Sequence, residues 1–210
     1  MQRIIFLATL FILPLMLYGK KQEQHPITTL KKWYREEKKQ CEKTFKQVAT
    51  IATASDEAHP SIALVELTDI GVKKGLIFFT HSSTTLAHHL KDEKNAALHI
   101  YLHHINKTVT VEGIASLMTS EETEKTWNRL PQFKQHLFVL SDHETPLPSM
   151  DLLKERKKAF KATVKGKIPR PLTFIGYQLI PDKITFCEMQ PRDFCIKNIF
   201  TLKEERWTAH

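Results

Sequence analysis

The stretch from Lys74 to Gly113 most narrows what this chain can fold into, because its pattern predicts a strand, a helix and a hairpin in succession. Leu76 to Phe79 is a short apolar run, and the polar residues that follow it supply a helix N-cap. Two further strands are predicted from Ala96 to Leu102 and from Val109 to Val111, with a turn between them. We expect these two strands to pair as antiparallel neighbours.

Two other helices have clear start signals. Thr28 or Thr29 is expected to cap a helix that runs to Cys41. Thr119 and Glu122 have the spacing of a capping box, so a second helix is predicted to begin there.

The composition indicates one globular domain and a basic surface. The 210 residues are 41% apolar and 26% charged, enough for one core, and no repeat indicates a second unit. The formal net charge of +8 lies largely in residues 154–170 and raises the question of a nucleic-acid partner. Leu152, Leu153, Phe160 and Val164, however, are spaced as one buried stripe. The lysines are therefore predicted to lie on a solvated face, and no nucleic-acid partner is expected.

The order of these elements resembles the pyridoxamine 5'-phosphate oxidase family, whose members are FMN-binding split β-barrel dimers. The resemblance runs from Ile27 to the C-terminus and is carried by further segments: ITTLKKWYREE, VATIATASDEAHPSIALVEL, IPRPLTFIGYQLIPDKITFCE and RDFCIKNIFTLKEERW. It implies a mainly β fold with flanking helices, formed by residues 25–210. It also implies a homodimer that builds its flavin site across the interface.

The resemblance further implies an FMN-linked oxidoreductase that acts on pyridoxamine or pyridoxine 5'-phosphate or a related small molecule. In that family's reaction, the flavin takes a hydride from the substrate and O2 reoxidises the flavin. The residues that would hold the cofactor, partly through backbone amides, are Val65, Phe79, Thr80, Thr85, Lys107, Thr108 and Lys197. Trp127 and Arg129 would be the nearest remaining substrate contacts.

Several cations of the family's cofactor motifs are replaced in this chain. The R-x-V-L-L-K strand, the Arg-Lys pair of the next helix and a later Arg-Gln pair correspond to residues 63–68, Thr85–Leu86 and Lys107–Thr108. Arginine holds a phosphate dianion through fixed, charge-assisted hydrogen bonds that threonine cannot reproduce. The implied FMN site is therefore weakened.

The substrate motifs have changed in the same way. The Tyr and Arg of the family's Y-x-x-x-R-P helix fall on Thr126 and Leu130, and the Trp that flanks the flavin falls on Cys187. The family's R-x-H falls on Asp193 and Cys195, and a carboxylate at Asp193 would repel a substrate phosphate. The alternative to an active oxidase is an inactive or repurposed barrel that binds flavin weakly, haem or a protein partner.

The N-terminal residues 1–24 contain an apolar run of 15 residues from Ile4 to Tyr18. A helix of that length spans about 22 Å, which is short of the roughly 30 Å of a bilayer core but suits a signal peptide. We expect a signal peptide or a short membrane anchor, attached through residues 4–18, in an exported or membrane-anchored protein. The alternative is a cytoplasmic protein with a mis-assigned start.

Cysteines and histidines leave two alternatives open. If the domain is exported, Cys187 and Cys195 can bridge the two ends of a hairpin, whereas in the cytosol they would be small core residues. His99 and His103 share one face of a regular strand, which keeps a haem ligand in consideration. The cysteine spacing is not that of a zinc site, and no metal site is predicted.

Overall fold

The computed structural model describes residues 25–41, 45–141, 149–164, 166–190, 192 and 194–210, which form five helices and eight strands. In chain order these are α1 (Pro26–Gln40), β1 (Val48–Ala54), β2 (Pro60–Gly71), β3 (Gly75–His81), α2 (Thr85–Asp92), β4 (Asn95–Leu102), β5 (Lys107–Leu117), α3 (Ser120–Arg129), α4 (Gln132–Leu140), α5 (Met150–Thr163), β6 (Phe174–Glu188), β7 (Ile196–Lys203) and β8 (Arg206–Ala209).

The strands form one antiparallel sheet that closes on itself. Neighbours follow the order β3, β2, β1, β4, β5, β6, β7 and β8, and β3 also pairs with β6. The β3 to β6 pairing, from Leu76 opposite Leu179 to His81 opposite Phe174, closes β1 to β6 into a six-stranded barrel. β7 and β8 extend the sheet as a hairpin. The predicted split barrel with flanking helices is confirmed.

Alternation along the strands fills the interior of the barrel. In β4, Leu98, Ile100 and Leu102 face inward and are almost fully buried, whereas the residues between them are more exposed. β4 and β5 pair over their full length, with Leu98 opposite Val111, so the hairpin predicted from the sequence is confirmed. Ile27 of α1 packs against the same core.

A second, smaller core lies on the outer side of β3 and β6, under helices α3 to α5. Trp127, Ile168 and Phe174 are its buried members. Phe79 stacks on Phe174 with ring centroids 4.8 Å apart, and Phe138 packs edge-on against Phe174. Side chains that alternate along β3 therefore serve two cores.

Lys154 and Lys158 of helix α5 are exposed, as predicted, but the apolar stripe of this helix is only half-buried. Phe160 and Val164 pack against the smaller core, while Leu152 and Leu153 remain partly exposed. Lys154 is 73% exposed and pairs with a carboxylate of its own helix.

Helix α1 begins earlier than predicted. His25 is its N-cap, and the His25 Nδ1 atom accepts a hydrogen bond from the backbone N–H of Ile27 at 3.2 Å. Pro26 occupies the first turn, where its fixed φ suits a helix and its missing N–H costs nothing. The expectation that Thr28 or Thr29 caps this helix is wrong.

The capping box of α3, between Thr119 and Glu122, is confirmed.

The structure joins Cys187 to Cys195 in a disulfide, with Cα atoms 6.2 Å apart, and leaves Cys41 as a free cysteine. This is the pairing predicted for an exported chain.

The predicted leader, residues 1–24, and Asp193 lie outside the described residues. Within the described residues, no helix is both long enough and apolar enough to cross a bilayer.

A buried carboxylate ties α1 to the turn between β4 and β5. Glu37 is 5% exposed, and its two oxygens accept hydrogen bonds from the backbone N–H groups of His104 and Ile105 at 3.1–3.2 Å. The His104 ring contributes a further contact of 2.8 Å from Nδ1. Removing such an acceptor leaves buried donors without partners.

We expect Glu37→Ala to lower the free energy of unfolding by about 1–3 kcal/mol, because the partly buried N–H groups of His104 and Ile105 lose their acceptor. Urea unfolding followed by circular dichroism measures the change. Glu36→Ala is the matched control, since Glu36 makes only an exposed ion pair with Lys32, and it should cost less than about 0.5 kcal/mol. Equal effects of the two substitutions would contradict this role of Glu37.

Candidate functional site

The barrel is split between β2 and β3. Their pairing covers only Leu67–Gly71 and Gly75–Phe78, with a register shift between Leu67 and Asp69. Beyond Leu67 and Phe78 the two strands diverge, since β2 continues along β1 while β3 continues along β6. Val65 on β2, and Phe79 and Thr80 on β3, lie just beyond this divergence. The structure therefore places three of the predicted cofactor residues at one opening.

Val65 and Phe79 cannot contribute to this opening in the same way. The Val65 side chain is buried in the barrel core, and its backbone N–H and C=O are directed towards Ala49 of β1 by the register of that ladder. Phe79 instead points out of the barrel, where it packs against the smaller core and lines a cavity.

A set of hydroxyl groups surrounds the N-terminus of α2, next to the split. The Thr84 hydroxyl donates to the carbonyl of His81 at 2.9 Å and accepts from the backbone N–H of Ala87 at 3.2 Å. Because its one proton is used, Thr80 must donate in the 3.1 Å contact between the Thr80 and Thr84 hydroxyls. Thr85 is exposed at the first position of the helix. The first N–H groups of a helix favour an anion.

The other predicted cofactor residues form a separate group on β5 to β7. Thr108 lies opposite Cys187, and Cys187 lies opposite Lys197, so these residues form one row across three strands. Lys107 makes an ion pair of 3.1 Å with Glu188, and its ammonium lies 4.4 Å from the centroid of the Trp33 ring. Strands β1 and β4 separate this group from β2. The sequence-predicted residues thus fall into two groups.

Of the predicted substrate contacts, the structure leaves only Arg129 accessible. Trp127 is 0% exposed, and its indole Nε1–H donates to the carbonyl of Ile168 at 2.8 Å. Its ring packs edge-on against Phe174 and Phe138 in the smaller core. The expectation that Trp127 touches a substrate is therefore corrected: Trp127 is a core residue that aligns α3.

A cavity of about 740 Å³ opens beside the split, between α1, β2 and α4. Its aromatic lining consists of Tyr34, Phe45, Phe79, Phe138 and Phe174. Its charged lining consists of Lys31, Arg35, Lys38, Lys134, Glu66 and Asp69. Lys134 and Glu66 are joined by an ion pair, which fixes α4 against β2. The size lies in the range of small-molecule sites.

A smaller cavity of about 350 Å³ shares Thr68, Asp69 and Leu130 with the larger one. Thr126 and Arg129 from α3 also line it. Thr68, Thr126 and Leu130 are the positions that correspond to the Lys, Tyr and Arg of the family motifs named above. Thr68 thus lies around the same crevice as Thr126 and Leu130, which are more than 50 residues further along the chain. All three side chains are uncharged.

Sequence reasoning missed the α1 side of the larger cavity. Lys31, Tyr34, Arg35 and Lys38 follow the spacing of one helix face, a signal that was readable in the sequence. What that face meets depends on the packing of α1 over β2. Burial raises the pKa of Tyr34, so its hydroxyl remains protonated.

The described residues contain no group of three or more His, Cys, Asp and Glu side chains that could hold a metal ion. His99 contacts the Thr110 hydroxyl at 3.0 Å, and His103 contacts that of Tyr101 at 3.3 Å. The predicted histidine pair therefore makes separate polar contacts on the sheet surface.

The closed six-stranded barrel that opens between β2 and β3 defines a class, the split β-barrel proteins. The sequence model of the family "Pyridoxamine 5'-phosphate oxidase" matches residues 36–161, more than half of the chain. The chain therefore belongs to the pyridoxamine 5'-phosphate oxidase family.

Named relatives agree with this assignment. The chain is 28% identical over 189 residues to the pyridoxine/pyridoxamine 5'-phosphate oxidase of Zymomonas mobilis, covering 89% of this chain and 96% of that protein. It is 25% identical to the same oxidase of Granulibacter bethesdensis, with 87% of each chain covered.

Two solved structures share the fold. PhzG from Burkholderia lata, in complex with tetrahydrophenazine-1-carboxylic acid, superposes with a TM-score of 0.79 at 21% identity, covering 90% of this chain and 93% of that one. A pyridoxamine 5'-phosphate oxidase-related, FMN binding protein from Nostoc punctiforme gives a TM-score of 0.72 at 12% identity, with coverages of 87% and 94%. At these identities the likeness concerns the fold.

We expect Trp127→Phe to lower the free energy of unfolding by about 1–3 kcal/mol, because the buried Ile168 carbonyl loses its donor. The affinity for FMN should change less than about twofold, since Trp127 lines neither of the two cavities described above. Urea unfolding and ligand titration of one preparation measure both quantities. Trp207→Phe is the control, because it removes a partly buried indole N–H that donates to His25. It should lower the free energy of unfolding by less than Trp127→Phe does. Unchanged stability with lost binding would restore Trp127 as a ligand contact.

Proposed function

We propose that this protein is an FMN-linked oxidoreductase of its family that acts on a small aromatic molecule, such as pyridoxine or pyridoxamine 5'-phosphate or a related compound. One observation supports this most strongly. Thr68, from the family's flavin motif, and Thr126 and Leu130, from its substrate motif, meet around the crevice beside the split. Residues that the family uses for two adjacent ligands thus converge, although their identities have changed.

The residues at the split suit the ring and the sugar-like chain of a flavin. The backbone groups that face the split belong to Glu66 on β2 and Phe79 on β3, because those of Val65 and Thr80 pair with β1 and β6. Such backbone groups offer hydrogen bonds that do not depend on side-chain identity. Thr85 and the first N–H groups of α2 offer neutral donors and the positive end of the helix dipole to a phosphate. Bound at this position, a flavin supplies hydride acceptance and electron transfer to O2. The chain's own contribution is to bind and orient both ligands.

The phosphate is the part of FMN that these residues hold least well. A charge-assisted hydrogen bond contributes about 1.5–3 kcal/mol, against about 1 kcal/mol for a neutral one. Replacing the family's Arg-Lys pair by Thr85 and Leu86 removes two such contacts. Lys107 does not compensate freely, because it is already paired with Glu188. We therefore expect a smaller preference for FMN over riboflavin than a complete cation set would give.

The same observations favour a second candidate, a barrel that no longer catalyses the family's reaction. Thr68, Thr126 and Leu130 are all uncharged, and a disulfide occupies Cys187, where the resemblance places a flavin-flanking Trp. A protein of this kind would bind flavin weakly, haem or a protein partner. The two candidates differ in whether a bound flavin survives desalting and is reduced by a substrate.

We also propose that the protein acts as a homodimer. Ile62 and Leu64 on the outer face of β2 are 73% and 72% exposed, and Tyr101 on β4 is 53% exposed. These side chains belong to one continuous sheet surface, because β1 joins β2 to β4. Large exposed apolar side chains grouped on a sheet face are typical of an interface.

The flavin site is tested by restoring one arginine. The wild-type chain should bind FMN and riboflavin with affinities within about tenfold of each other, measured by quenching of flavin fluorescence. Thr85→Arg should tighten FMN binding about tenfold and leave riboflavin unchanged, because it returns one charge-assisted donor. His88→Arg, on an exposed position of the same helix, is the control. Absence of flavin binding, or no response of FMN to Thr85→Arg, would contradict the proposed site.

The dimer is tested by light scattering coupled to gel filtration. The wild-type chain should show about twice the monomer mass of 24.4 kDa. Leu64→Lys should shift it to monomer, because a charge would be buried in the interface. Leu172→Lys changes an exposed leucine outside this face and should leave the mass unchanged. A wild-type monomer at all concentrations would overturn the proposal.

A further inference from the structure

The cationic face of α1 borders the larger cavity and has no internal counter-charge. Lys31, Arg35 and Lys38 lie at positions i, i+4 and i+7, so they follow one helix face. Among the described residues, no carboxylate lies within ion-pair distance of any of the three. Like charges at this spacing repel one another and weaken the helix. Arg35 Nε–H donates to the backbone carbonyl of Lys31 at 3.3 Å, a contact that supplies no negative charge.

The remaining charges of the cavity do not neutralise this face. Lys134 and Glu66 pair with each other. Asp69 is the one further carboxylate among the lining residues, and one of its oxygens accepts the backbone N–H of Ile70 at 2.8 Å. The cavity as a whole therefore has an excess of positive charge, concentrated on the α1 side.

A buried hydroxyl lies on the same helix face. Tyr34 is 6% exposed and lines the cavity, and its hydroxyl has no hydrogen-bond partner in the described structure. Buried polar groups without partners are rare in native proteins and call for an explanation. A ligand that contributes an acceptor would satisfy this hydroxyl.

Aromatic side chains form the opposite wall. Phe79 and Phe174 stack with ring centroids 4.8 Å apart and almost parallel planes, and Phe138 of α4 packs edge-on against Phe174. All three line the cavity. A planar ring would find apolar contact on this side.

We propose that Lys31, Arg35 and Lys38 of α1 form an anion-binding strip that holds the phosphate or carboxylate of an aromatic ligand in the larger cavity. The ring of the ligand packs against the phenylalanine wall, and the Tyr34 hydroxyl donates to a polar atom of the ligand. Identifying this ligand as the oxidoreductase substrate rests on the function proposed above. The binding itself does not, and it is measured without flavin.

The smaller cavity has cations of its own, Lys74, Lys125 and Arg129, together with the neutral Thr68, Thr126 and Leu130. In the larger cavity, Lys134 is paired with Glu66, so the cations without an ion pair among the described residues are those of α1. An anionic group held in the larger cavity therefore lies towards α1.

The test compares pyridoxine 5'-phosphate with pyridoxine by isothermal titration calorimetry on the full chain. Neither probe has an aldehyde, so neither forms a Schiff base with the lysines. The wild-type chain should bind the phosphorylated probe at least about tenfold more tightly. The triple variant Lys31→Gln, Arg35→Gln, Lys38→Gln should lose that preference and bind both probes alike, within about twofold. Raising the salt concentration should weaken wild-type binding of the phosphorylated probe more than that of pyridoxine.

Lys32→Gln with Lys39→Gln is the matched control, because both residues are exposed on α1 and neither lines the cavity. It should bind both probes as the wild type does. Tyr34→Phe should weaken binding of both probes about threefold to tenfold, since a single hydrogen bond is lost. All variants change exposed side chains or remove one hydroxyl, and circular dichroism checks that they are folded.

The proposal is overturned if the triple variant retains the preference for the phosphorylated probe. It is also overturned if the wild-type chain shows no such preference, or fails to bind the phosphorylated probe below about 1 mM. FMN titration of the triple variant separates the two proposals, because FMN affinity should stay within about twofold of wild type. Loss of flavin binding with intact strip binding would overturn the proposed function alone.

Discussion

Closure of the barrel depends on how closely β6 can approach the strands on both of its sides. Gly75 on β3 and Gly113 on β5 meet the backbone of β6 at Leu179 and Ile180, where a Cβ atom on either glycine would overlap a carbonyl oxygen. Gly75 also has a positive φ of 61°. Past Phe78, β3 stays paired with β6 as far as His81 and no longer pairs with β2. The split beside which the cavities lie begins at this point.

The sequence predicted the elements that rest on local patterns. The strand, helix and hairpin between Lys74 and Gly113 follow from short apolar runs and a polar cap, and all are present. The predicted N-cap of α1 is wrong because His25 takes this position. Histidine is not among the residues that helix N-caps prefer, so cap preferences do not predict it. The prediction that Trp127 contacts a substrate is wrong for another reason. Its position beside a family motif does not show which face of α3 packs on β6, and that orientation is known only from the three-dimensional structure.

The candidate site was predictable only in part. Resemblance to the family predicts Val65, Phe79 and Thr80 as cofactor residues and identifies the missing cations at Thr85 and residues 63–68, whereas the position of the three residues beside the split comes from the structure. It could not show that α1 brings positive charge to the same crevice, since Lys31 and Arg35 are distant in sequence from β2. This family member has neutral residues at Thr68 and Leu130, where the family has cations, and three cations on α1 beside the larger cavity. In the proposal above, these α1 cations hold the anionic group of the ligand.

The most direct test of the central claim is a crystal structure of the protein soaked with FMN and pyridoxine 5'-phosphate. We expect flavin density between residues 62–66 of β2 and 79–81 of β3, with the phosphorylated pyridine ring in the adjacent cavity. The phosphate of the pyridine should lie next to Lys31, Arg35 and Lys38. Flavin density elsewhere on the barrel, or an empty crevice with both ligands in excess, would contradict it.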